Sequence, residues 1–244
     1  MILVLSGEGP TDIGASANQC SPCSGADFSP GPMTAIVDQL LTPRLGFSVL
    51  DLPECIYFVD ETDLCRRMKA LPNRMQPARS KKKASETGYF FGNAVALGAV
   101  TLAIEAAAQD LAVAVLFRDC DGTRSAKTGL WEAKRKSMEH GFAYARFERG
   151  VPMLPKPKSE AWLLCAANPP ATGDCCAYEE LPGNDSSPNA PKKKLDAFFN
   201  RHLSGSELCD WLTDNPLDVE RAVSMPSFQD FKMQLERVVD DLLH

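Results

Sequence analysis

The sequence predicts an α/β fold in which a mainly parallel β-sheet is flanked by helices and followed by a helical C-terminal extension. Short, continuous apolar runs are typical of buried parallel strands, and two clear examples lie at residues 2–5 and 112–117. Segments with helical periodicity separate these runs from other strand-like stretches. Such an alternation of strands and helices places helices on both faces of one sheet.

The size and composition of the chain suit a globular protein. Its 244 residues suffice for one large domain or for a domain with a small subdomain. The apolar fraction of 44% and the charged fraction of 24% are ordinary. A net charge of −6 argues against a protein that binds nucleic acid over most of its surface, although this net charge is compatible with a local basic face. We divide the chain into an α/β domain at residues 1–166 and a loop and helical extension at residues 167–244, packed on that domain.

The apolar segments and the cysteines predict a cellular location. There is no leader pattern, and the longest apolar region, residues 94–108, is broken by Gly98 and Glu105. No stretch approaches the roughly 18 apolar residues of a membrane span. We therefore expect a cytoplasmic protein with no membrane partner.

Nine cysteines, an odd number, favour reduced thiols. Cys20-x-x-Cys23 is half of a zinc site, but a second pair with ligand spacing is missing.

The N-terminal part of the chain is predicted to contain three strands and one helix. An acidic turn follows the first strand, and a loop rich in serine, glycine and proline follows that turn at residues 20–32. The helix is predicted to end at Pro43, because proline interrupts the helical hydrogen-bond pattern. The predicted elements are strand 2–5, helix 33–41, strand 47–52 and strand 56–59.

The central part is predicted to continue the alternation of helix and strand. Gly141 is a plausible stop for the second of its helices, and the alternating residues after Gly141 predict a strand. Pro152, Pro155 and Pro157 are predicted to break regular structure. The predicted elements are helix 93–110, strand 112–117, helix 127–140 and strand 142–147.

The remainder of the chain is predicted to be loop and helix. A short helix covers residues 159–164, with Ser159 as its N-cap. A long loop follows at residues 168–191. In the last segment the apolar residues fall on one helical face. The helical segments of the extension are predicted at residues 198–203, 208–212 and 228–243.

Basic residues are concentrated between residues 66 and 83, where Pro72 and Pro77 indicate a partial loop. Such a run is either a solvated charged surface or a phosphate-binding face, because clustered lysine and arginine supply affinity for nucleic acid. Both interpretations stay open. On the second interpretation, and with one lysine from later in the chain, the nucleic-acid contacts are Arg79, Lys81, Lys82, Lys83 and Lys158.

Acidic residues follow two of the predicted strands at the point where each strand ends. Glu8 lies in the turn after residues 2–5, and Asp119 and Asp121 follow residues 112–117. Ligands of open α/β sheets bind beyond the carboxyl ends of the strands, so we expect these side chains to meet there. Carboxylates that lie together repel each other unless a cation neutralises them, and hard oxygen ligands suit Mg²⁺ or Mn²⁺. The sequence therefore predicts a metal site that could serve hydrolysis, with one ion activating water and another steadying the leaving oxygen.

Each residue of this predicted site also has a simpler interpretation. Asp12 lies four residues after Glu8, which places both on one face of a helical turn, but Asp12 is equally a cap. Asp119-x-Asp121-Gly is common in surface turns. Glu160 is either a further ligand or a charge that stabilises a helix N-terminus. Lys156, Lys158 and Lys192 either face solvent or offset charge on a phosphate. The three histidines show no obvious partner, and no nucleophile elbow supports covalent hydrolase chemistry.

The motifs, taken in order, resemble the Toprim domain, the catalytic fold of topoisomerases, primases and OLD-type (overcoming lysogenization defect) nucleases. They are most similar to a Toprim-like family of bacterial proteins. Members of that family carry a Glu-Gly-x-x-Asp start, a Gly-Tyr-Phe-Phe-Gly-Asn-Ala stretch, an Asp-x-Asp turn, a Glu-Ala-Trp-Leu-Leu segment and a late Asn-x-Pro-Lys. In this chain the five motifs lie at residues 8–12, 88–94, 119–121, 160–164 and 189–192. The similarity spans about residues 1–195.

The resemblance implies a Toprim-like, Rossmann-like fold and a nuclease that hydrolyses DNA or RNA with Mg²⁺ or Mn²⁺. It implies Glu8, Asp119 and Asp121 as metal ligands, with Asp12 and Glu160 joining them as in OLD-type nucleases, and Lys192 as the match to a late catalytic lysine. Full OLD proteins also carry an ATPase domain, which these motifs do not include. The implied partners are therefore nucleic acid and a separate ATPase chain, as in anti-phage defence systems, and a homo-oligomer is left open.

Two other functions compete with the nuclease. Asp119-Cys120-Asp121-Gly122-Thr123 also matches the signature of haloacid-dehalogenase-type phosphatases, in which the first aspartate attacks phosphate. That interpretation needs a second acidic pair, for which Asp240-Asp241 is the candidate, and it leaves Glu8 without a role. The other alternative is a Toprim-like adaptor that binds an ATPase or nucleic acid without turnover.

Overall fold

The chain folds around a five-stranded, mostly parallel sheet with strand order β3-β5-β1-β6-β7. The computed structural model describes residues 1–9, 11–70, 82–120 and 130–244, without the side chains of residues 82–86. Four neighbouring strands run parallel, and only the short β3 pairs antiparallel at one edge. A separate two-stranded antiparallel sheet joins β2 to β4. The strands are β1 (Ile2–Gly7), β2 (Gly14–Ser16), β3 (Cys23–Ser24), β4 (Phe28–Pro30), β5 (Ile56–Asp60), β6 (Ala112–Phe117) and β7 (Gly150–Met153).

Helices cover both faces of the sheet, as the sequence predicts. Successive residues of a strand point to opposite faces, so Leu3 and Val115 pack into one apolar cluster while Val4 and Ala114 pack into the other. The first cluster includes residues of α1, α5, α7 and α9, and the second includes residues of α3 and α4. The helices are α1 (Pro32–Leu45), α2 (Glu61–Ala70), α3 (Lys82–Ala108), α4 (Leu130–Tyr144), α5 (Ser159–Ala167), α6 (Pro191–Phe199), α7 (Gly205–Asp214), α8 (Val219–Ala222) and α9 (Pro226–Leu243).

Two N-terminal predictions are wrong. Helix α1 contains Pro43 and ends only at Gly46, which adopts a left-handed conformation with φ of 78°. Near a helix end a proline removes a single hydrogen bond, so glycine rather than proline stops this helix. The predicted strand at residues 47–52 instead contains a short 3-10 helix, Val49–Asp51. The buried Asp38 carboxylate organises this turn by accepting hydrogen bonds from the Ser48 hydroxyl and the Val49 N–H.

Two predictions after β6 are also wrong. Helix α4 continues through Gly141 to Tyr144, so residues 142–147 do not form a strand. Gly141 lies where α4 crosses α3, and a Cβ atom there would come within 2.4 Å of the Phe91 carbonyl oxygen. This glycine therefore serves close packing rather than helix termination. The last strand is β7, and it includes Pro152, which the sequence assigned to a break. Since β7 is at the sheet edge, a missing N–H is tolerated there.

The C-terminal helices agree in part with their predicted positions. Helices α7 and α9 include the predicted segments, whereas α6 begins earlier than predicted and ends at Phe199. Phe228 and Phe231 of α9 pack against the ring of Trp162, with centroid separations of 5.1 and 5.7 Å. The proposed division at residue 166 falls within the last residues of α5. Residues of the extension thus share one core with the sheet.

Helix α3 includes a segment, Thr87–Ala108, that is long and apolar enough to cross a bilayer, so the expectation of no such stretch is wrong. In the fold, 61% of its most apolar window is buried. A helix that is apolar on all sides belongs in a protein core or a membrane. Packed on α4 and on the sheet, α3 is a core helix of a globular domain.

The expectation of reduced thiols fails for one pair of cysteines. Cys165, near the end of α5, and Cys175, at the start of a 3-10 helix (Cys175–Glu180), form a disulfide with a Cα separation of 5.6 Å. Both residues are buried. Spacing alone could not identify them, because the two cysteines are 10 positions apart in sequence and meet only when the segment between them folds back on α5.

Candidate metal centre

The turn after β1 is shaped by two glycines. At Gly7 a Cβ atom would lie 2.7 Å from Ile13 and 2.9 Å from Phe117, so only glycine allows the end of β1 to pack this closely. Gly9 has φ of 71°, a left-handed conformation that glycine adopts readily. Between these two glycines the chain presents Glu8 at the carboxyl edge of the sheet.

Glu8 meets the turn that follows β6. Its Oε1 atom accepts a hydrogen bond of 2.7 Å from the N–H of Asp119. The two strands pair in parallel register from Ile2 with Ala112 to Gly7 with Phe117. Because their carboxyl ends are level, residues that are 111 positions apart in sequence lie in direct contact. The predicted convergence of these two acidic turns is present in the structure.

Ser159, at the start of α5, joins two further carboxylates to this contact. Its N–H donates a hydrogen bond of 2.9 Å to Oδ1 of Asp119, and its hydroxyl donates to Oδ1 of Asp12. The sequence assigned Ser159 to the N-cap of α5, but the N-cap position belongs to Lys158 and has no side-chain cap bond. Ser159 is fully buried and links the turns after β1 and β6 to α5.

Glu160 completes a group of four acidic side chains. It follows Ser159 in the first turn of α5, and its Oε2 atom is buried with no hydrogen-bond partner among the described residues. A buried carboxylate oxygen without a donor is costly. The group of Glu8, Asp12, Asp119 and Glu160 is called the acidic cluster below.

The surroundings of the cluster raise the pKa values of three of its members. Burial raises the pKa of Asp119 well above its usual range, and repulsion from Asp12, Glu160 and Glu8 adds to this effect. Burial also raises the pKa of Asp12, against hydrogen bonds from Ser159 and Thr11 that lower it. For Glu160, burial again raises the pKa, and the charge of Asp12 adds to it. Burial and mutual repulsion thus make negative charge costly at these three carboxyls.

Two lysines lie close enough to reduce this charge in part. Lys158 and Lys192 each lower the pKa values of Asp12 and Glu160. Lys158 is 9% exposed and forms an ion pair of 2.9 Å with Asp185. Lys192 lies in the first turn of α6 and lines a cavity of about 70 Å³ together with Asp12 and Glu160. The predicted catalytic lysine is thus placed beside the cluster, whereas Lys156 pairs with Glu180 at 2.8 Å.

The chemistry of the cluster fits a hard divalent cation. All of its side-chain donors are carboxylate oxygens, which Mg²⁺ and Mn²⁺ prefer, and the Oε2 atom of Glu160 has no other partner. Among the described residues, no three acidic, histidine or cysteine side chains are already arranged to hold a metal. Oxygens of Glu8 and Asp119 instead accept backbone N–H groups.

Several predicted site residues are not part of this description. Asp121, Arg79 and Lys81 lie outside the described residues, and the side chains of Lys82 and Lys83 do as well, although both residues belong to α3. The predicted basic face and the second ligand of the Asp-x-Asp turn thus stay predictions. The remaining acidic predictions, together with Lys192 and Lys158, lie on or beside the acidic cluster.

Sequence reasoning missed two features near the cluster. His202 was judged to have no partner, yet its Nδ1 atom lies 3.0 Å from Oδ1 of Asp196, and both residues line the small cavity beside Lys192. Arg118 precedes Asp119 and is fully buried, 3.5 Å from Glu61 and 5.2 Å from the Tyr89 ring centroid. A charged residue directly after an apolar strand was the signal that could have identified Arg118.

Comparisons of the chain with protein-family models, with curated proteins and with solved structures each gave no significant match. The resemblance to Toprim proteins consequently depends on the five sequence motifs alone.

Proposed function

We propose that this protein is a Mg²⁺- or Mn²⁺-dependent nuclease of the Toprim type, which hydrolyses phosphodiester bonds of DNA or RNA in the cytoplasm. The observation that carries the proposal is the contact of Glu8 with Asp119, which assembles acidic residues from two strand ends. Support comes from the parallel sheet, since Toprim-like folds are of this α/β class, and from the orphaned oxygen of Glu160. The proposed partners are nucleic acid and a separate ATPase chain of an anti-phage system.

Each residue has a role in this proposal. Glu8, Asp12, Asp119 and Glu160, with Asp121, hold the cation. A bound divalent ion would lower the pKa of a coordinated water and steady the leaving oxygen. Lys192, which lies beside Asp12 and Glu160, offsets charge that develops on the phosphate.

The test is hydrolysis of plasmid, single-stranded DNA and transfer RNA by the purified protein in Mg²⁺, Mn²⁺ or EDTA. We expect cation-dependent products from at least one substrate and none from the Asp119→Asn variant. Asp110→Asn is a matched control, because Asp110 lies just before β6 and pairs with the N-terminal amine at 2.6 Å, at the opposite end of the same strand. Absence of cation-dependent products from every substrate would refute the nuclease.

A non-catalytic adaptor is the second candidate, and one observation favours it. Oxygens of Glu8 and Asp119 already accept backbone hydrogen bonds, as they would in a purely structural turn. An adaptor would keep partner binding unchanged in Asp119→Asn, and it would show no hydrolysis in wild type. The phosphatase alternative has less support, since Asp240 lies on α9, paired with Arg44 at 3.1 Å.

A further inference from the structure

A cleft of about 620 Å³ opens at the carboxyl ends of β1 and β5. It shares Gly7 and Gly9 with the turn that carries Glu8, so it is continuous with the edge of the acidic cluster. The other sides come from the small β2–β4 sheet and from the start of α2. Its lining includes Gly9, Ser16, Cys20, Phe58, Glu61 and Arg66.

We propose that this cleft binds one unstacked nucleotide, either free or as a unit of a single strand whose phosphodiester bond reaches the acidic cluster. This inference rests on the proposed function and adds to it the substrate class, single-stranded nucleic acid. Neither the motifs nor the cluster distinguish single strands from duplexes.

The size and position of the cleft suit such a ligand. Small-molecule sites usually have volumes of roughly 300–1,000 Å³, and ligands of α/β sheets bind at the carboxyl ends of the strands. At Gly9 a Cβ atom would approach nothing closer than Thr11 at 3.8 Å and Asp12 at 4.0 Å. The backbone here is open to close approach by a ligand, at a residue that directly follows Glu8.

The charges around the cleft allow an anionic ligand despite three acidic residues. Asp63 is buried and paired with Arg66 and with Arg67, the latter at 2.9 Å. Glu61 is paired with Arg118 at 3.5 Å. With Asp60 included, three carboxylates are balanced by three guanidinium groups. Arg66 is 74% exposed and lines the cleft, so its side chain can reach a phosphate while Arg67 still neutralises Asp63.

Arg118 contributes to this charge balance through Glu61, although it does not line the cleft. Its guanidinium is fully buried, and none of its nitrogens has a hydrogen-bond partner among the described residues. A buried charge is costly unless an opposite charge pairs with it, and among the described residues Glu61 forms an ion pair with Arg118. Arg118 therefore reduces the negative charge that Glu61 presents to the cleft.

The polar lining suits a base that is not paired. Ser16 and Thr62 offer hydroxyl groups, and Gln19 offers an amide, while Phe58 forms part of the apolar lining. The Ser21 hydroxyl is already bonded to Asp63 and Asp60. Proteins read single-stranded bases by hydrogen bonds to edges that pairing would otherwise cover. Because these polar groups would bond to edges that a duplex keeps covered, we expect discrimination against duplexes.

Cys20 provides a direct measurement, because it is exposed and lines the cleft. The rate of its alkylation by iodoacetamide is followed by peptide mass spectrometry in EDTA, with a nucleoside monophosphate, a short single strand or the matching duplex. A ligand at ten times its Kd leaves about one site in eleven free, so we expect alkylation to slow about tenfold. Cys176, which is not part of the cleft, reports any general change in reactivity.

The outcomes show whether the cleft binds a free nucleotide, a nucleotide within a single strand, or neither. Protection by both the monophosphate and the single strand supports the inference, and protection by the single strand alone supports it with the strand as the source. Protection by the duplex as strong as that by the single strand overturns it, and so does a lack of protection by all three probes.

A cleft-filling variant gives a second measurement. Ser16→Phe places a ring in the cleft, whereas Ser29→Phe alters an exposed serine of the same small sheet that faces another pocket. We expect Ser16→Phe to weaken binding of a labelled single strand about tenfold in EDTA and Ser29→Phe to leave it unchanged. If circular dichroism shows that Ser16→Phe is unfolded, Arg66→Gln replaces it with the same expected direction. Unchanged binding by the folded cleft variant overturns the inference.

A small substrate distinguishes this failure from failure of the proposed function. Hydrolysis of bis(p-nitrophenyl) phosphate needs the acidic cluster but not the cleft. If this hydrolysis depends on Mg²⁺ while Cys20 is never protected, the cleft inference fails alone. If no substrate is hydrolysed while Cys20 is protected, the nuclease proposal fails and nucleotide binding stands.

Discussion

Asp63 and Asp119 follow two strands, β5 and β6, that lie on either side of β1, and their surroundings are opposite. Asp63 accepts hydrogen bonds from Ser21, Arg66 and Arg67. Burial alone would raise the pKa of this carboxyl, but its arginine and serine partners outweigh burial and lower the pKa. The carboxylate after β5 is thus already compensated by the protein's own cations.

Asp119 has carboxylates where Asp63 has arginines. Burial and the charges of Asp12, Glu160 and Glu8 raise its pKa well above the usual range. Its hydrogen-bond partner at Oδ1 is a single N–H group, that of Ser159. The two sites differ in the charges of their described neighbours: arginines lower the pKa of Asp63, whereas carboxylates raise the pKa of Asp119.

The largest expected difference between substitutions at Asp119 and at Asp63 is in catalysis. Asp119→Asn should reduce cation-dependent hydrolysis by at least about a hundredfold, because it removes a charged ligand of the reacting site. Asp63→Asn should change the hydrolysis of bis(p-nitrophenyl) phosphate by less than about threefold, since this substrate needs the acidic cluster but not the cleft that Asp63 lines. Rates are measured under identical conditions after circular dichroism has confirmed that both variants fold. Similar losses in the two variants would contradict the distinction.

The next effect concerns cation binding and stability. Mg²⁺ or Mn²⁺ at a hundred times its Kd should stabilise the wild-type protein by about 2.7 kcal/mol, and EDTA should reverse this gain. Asp119→Asn should lose most of the stabilisation, whereas Asp63→Asn should retain it. Denaturation in urea with and without the cation measures both. A cation effect that is equal in Asp119→Asn and wild type would place the ion elsewhere.

In EDTA the two substitutions should change stability in opposite directions. Asp63→Asn should lower the free energy of unfolding by about 1–3 kcal/mol, because it breaks hydrogen bonds to arginines and leaves their charges unmatched. Asp119→Asn should raise it by about 1 kcal/mol, since it removes one of several repelling charges. Urea titrations of both variants and of the wild type measure the two changes in the free energy of unfolding. A destabilised Asp119→Asn would mean that its bond from Ser159 outweighs the repulsion.

The smallest effect involves Glu207, an exposed carboxylate that is fully satisfied by its neighbours. It forms the capping box of α7 with Ser204, and bonds from Ser204 and Arg201 lower its pKa to about 2. A lowered pKa means that stabilisation is present above the usual pKa of glutamate and is lost as the pH falls toward about 2. Glu207→Gln should therefore be less stable than wild type near neutral pH, and the difference should shrink in acid. A difference that is constant with pH would show that charge is not involved.

The sequence contained enough information for the three middle strands of the sheet, β5, β1 and β6, and for the central contact of the acidic cluster. Strands β1 and β6 are continuous apolar runs, so their carboxyl ends, and hence Glu8 and Asp119, could be located from the pattern. Level parallel strands then bring these two residues together. The role of Ser159 could not be predicted, because it depends on three separate segments meeting at one side chain.

Other errors arose where tertiary packing determines a residue's role. Gly141 has the sequence pattern of a helix C-terminus, but glycine is needed there because a side chain would collide with the carbonyl oxygen of Phe91 in another helix. Asp63 pairs with arginines three and four residues later, as helical spacing allows. That signal was readable, but the basic residues there were interpreted only as surface charge or as nucleic-acid contacts.

One glycine in the C-terminal part bears on how the protein can be shortened. A Cβ atom on Gly205, at the start of α7, would lie 2.3 Å from the carbonyl oxygen of Thr11, next to Asp12. The backbones of the last third of the polypeptide and of the first acidic turn are thus in van der Waals contact. A truncated protein that ends after α5 would expose this turn to solvent on the side that α7 now covers. Experiments on the isolated N-terminal portion would therefore examine this turn without its contact to α7, whereas the 244-residue chain retains that contact.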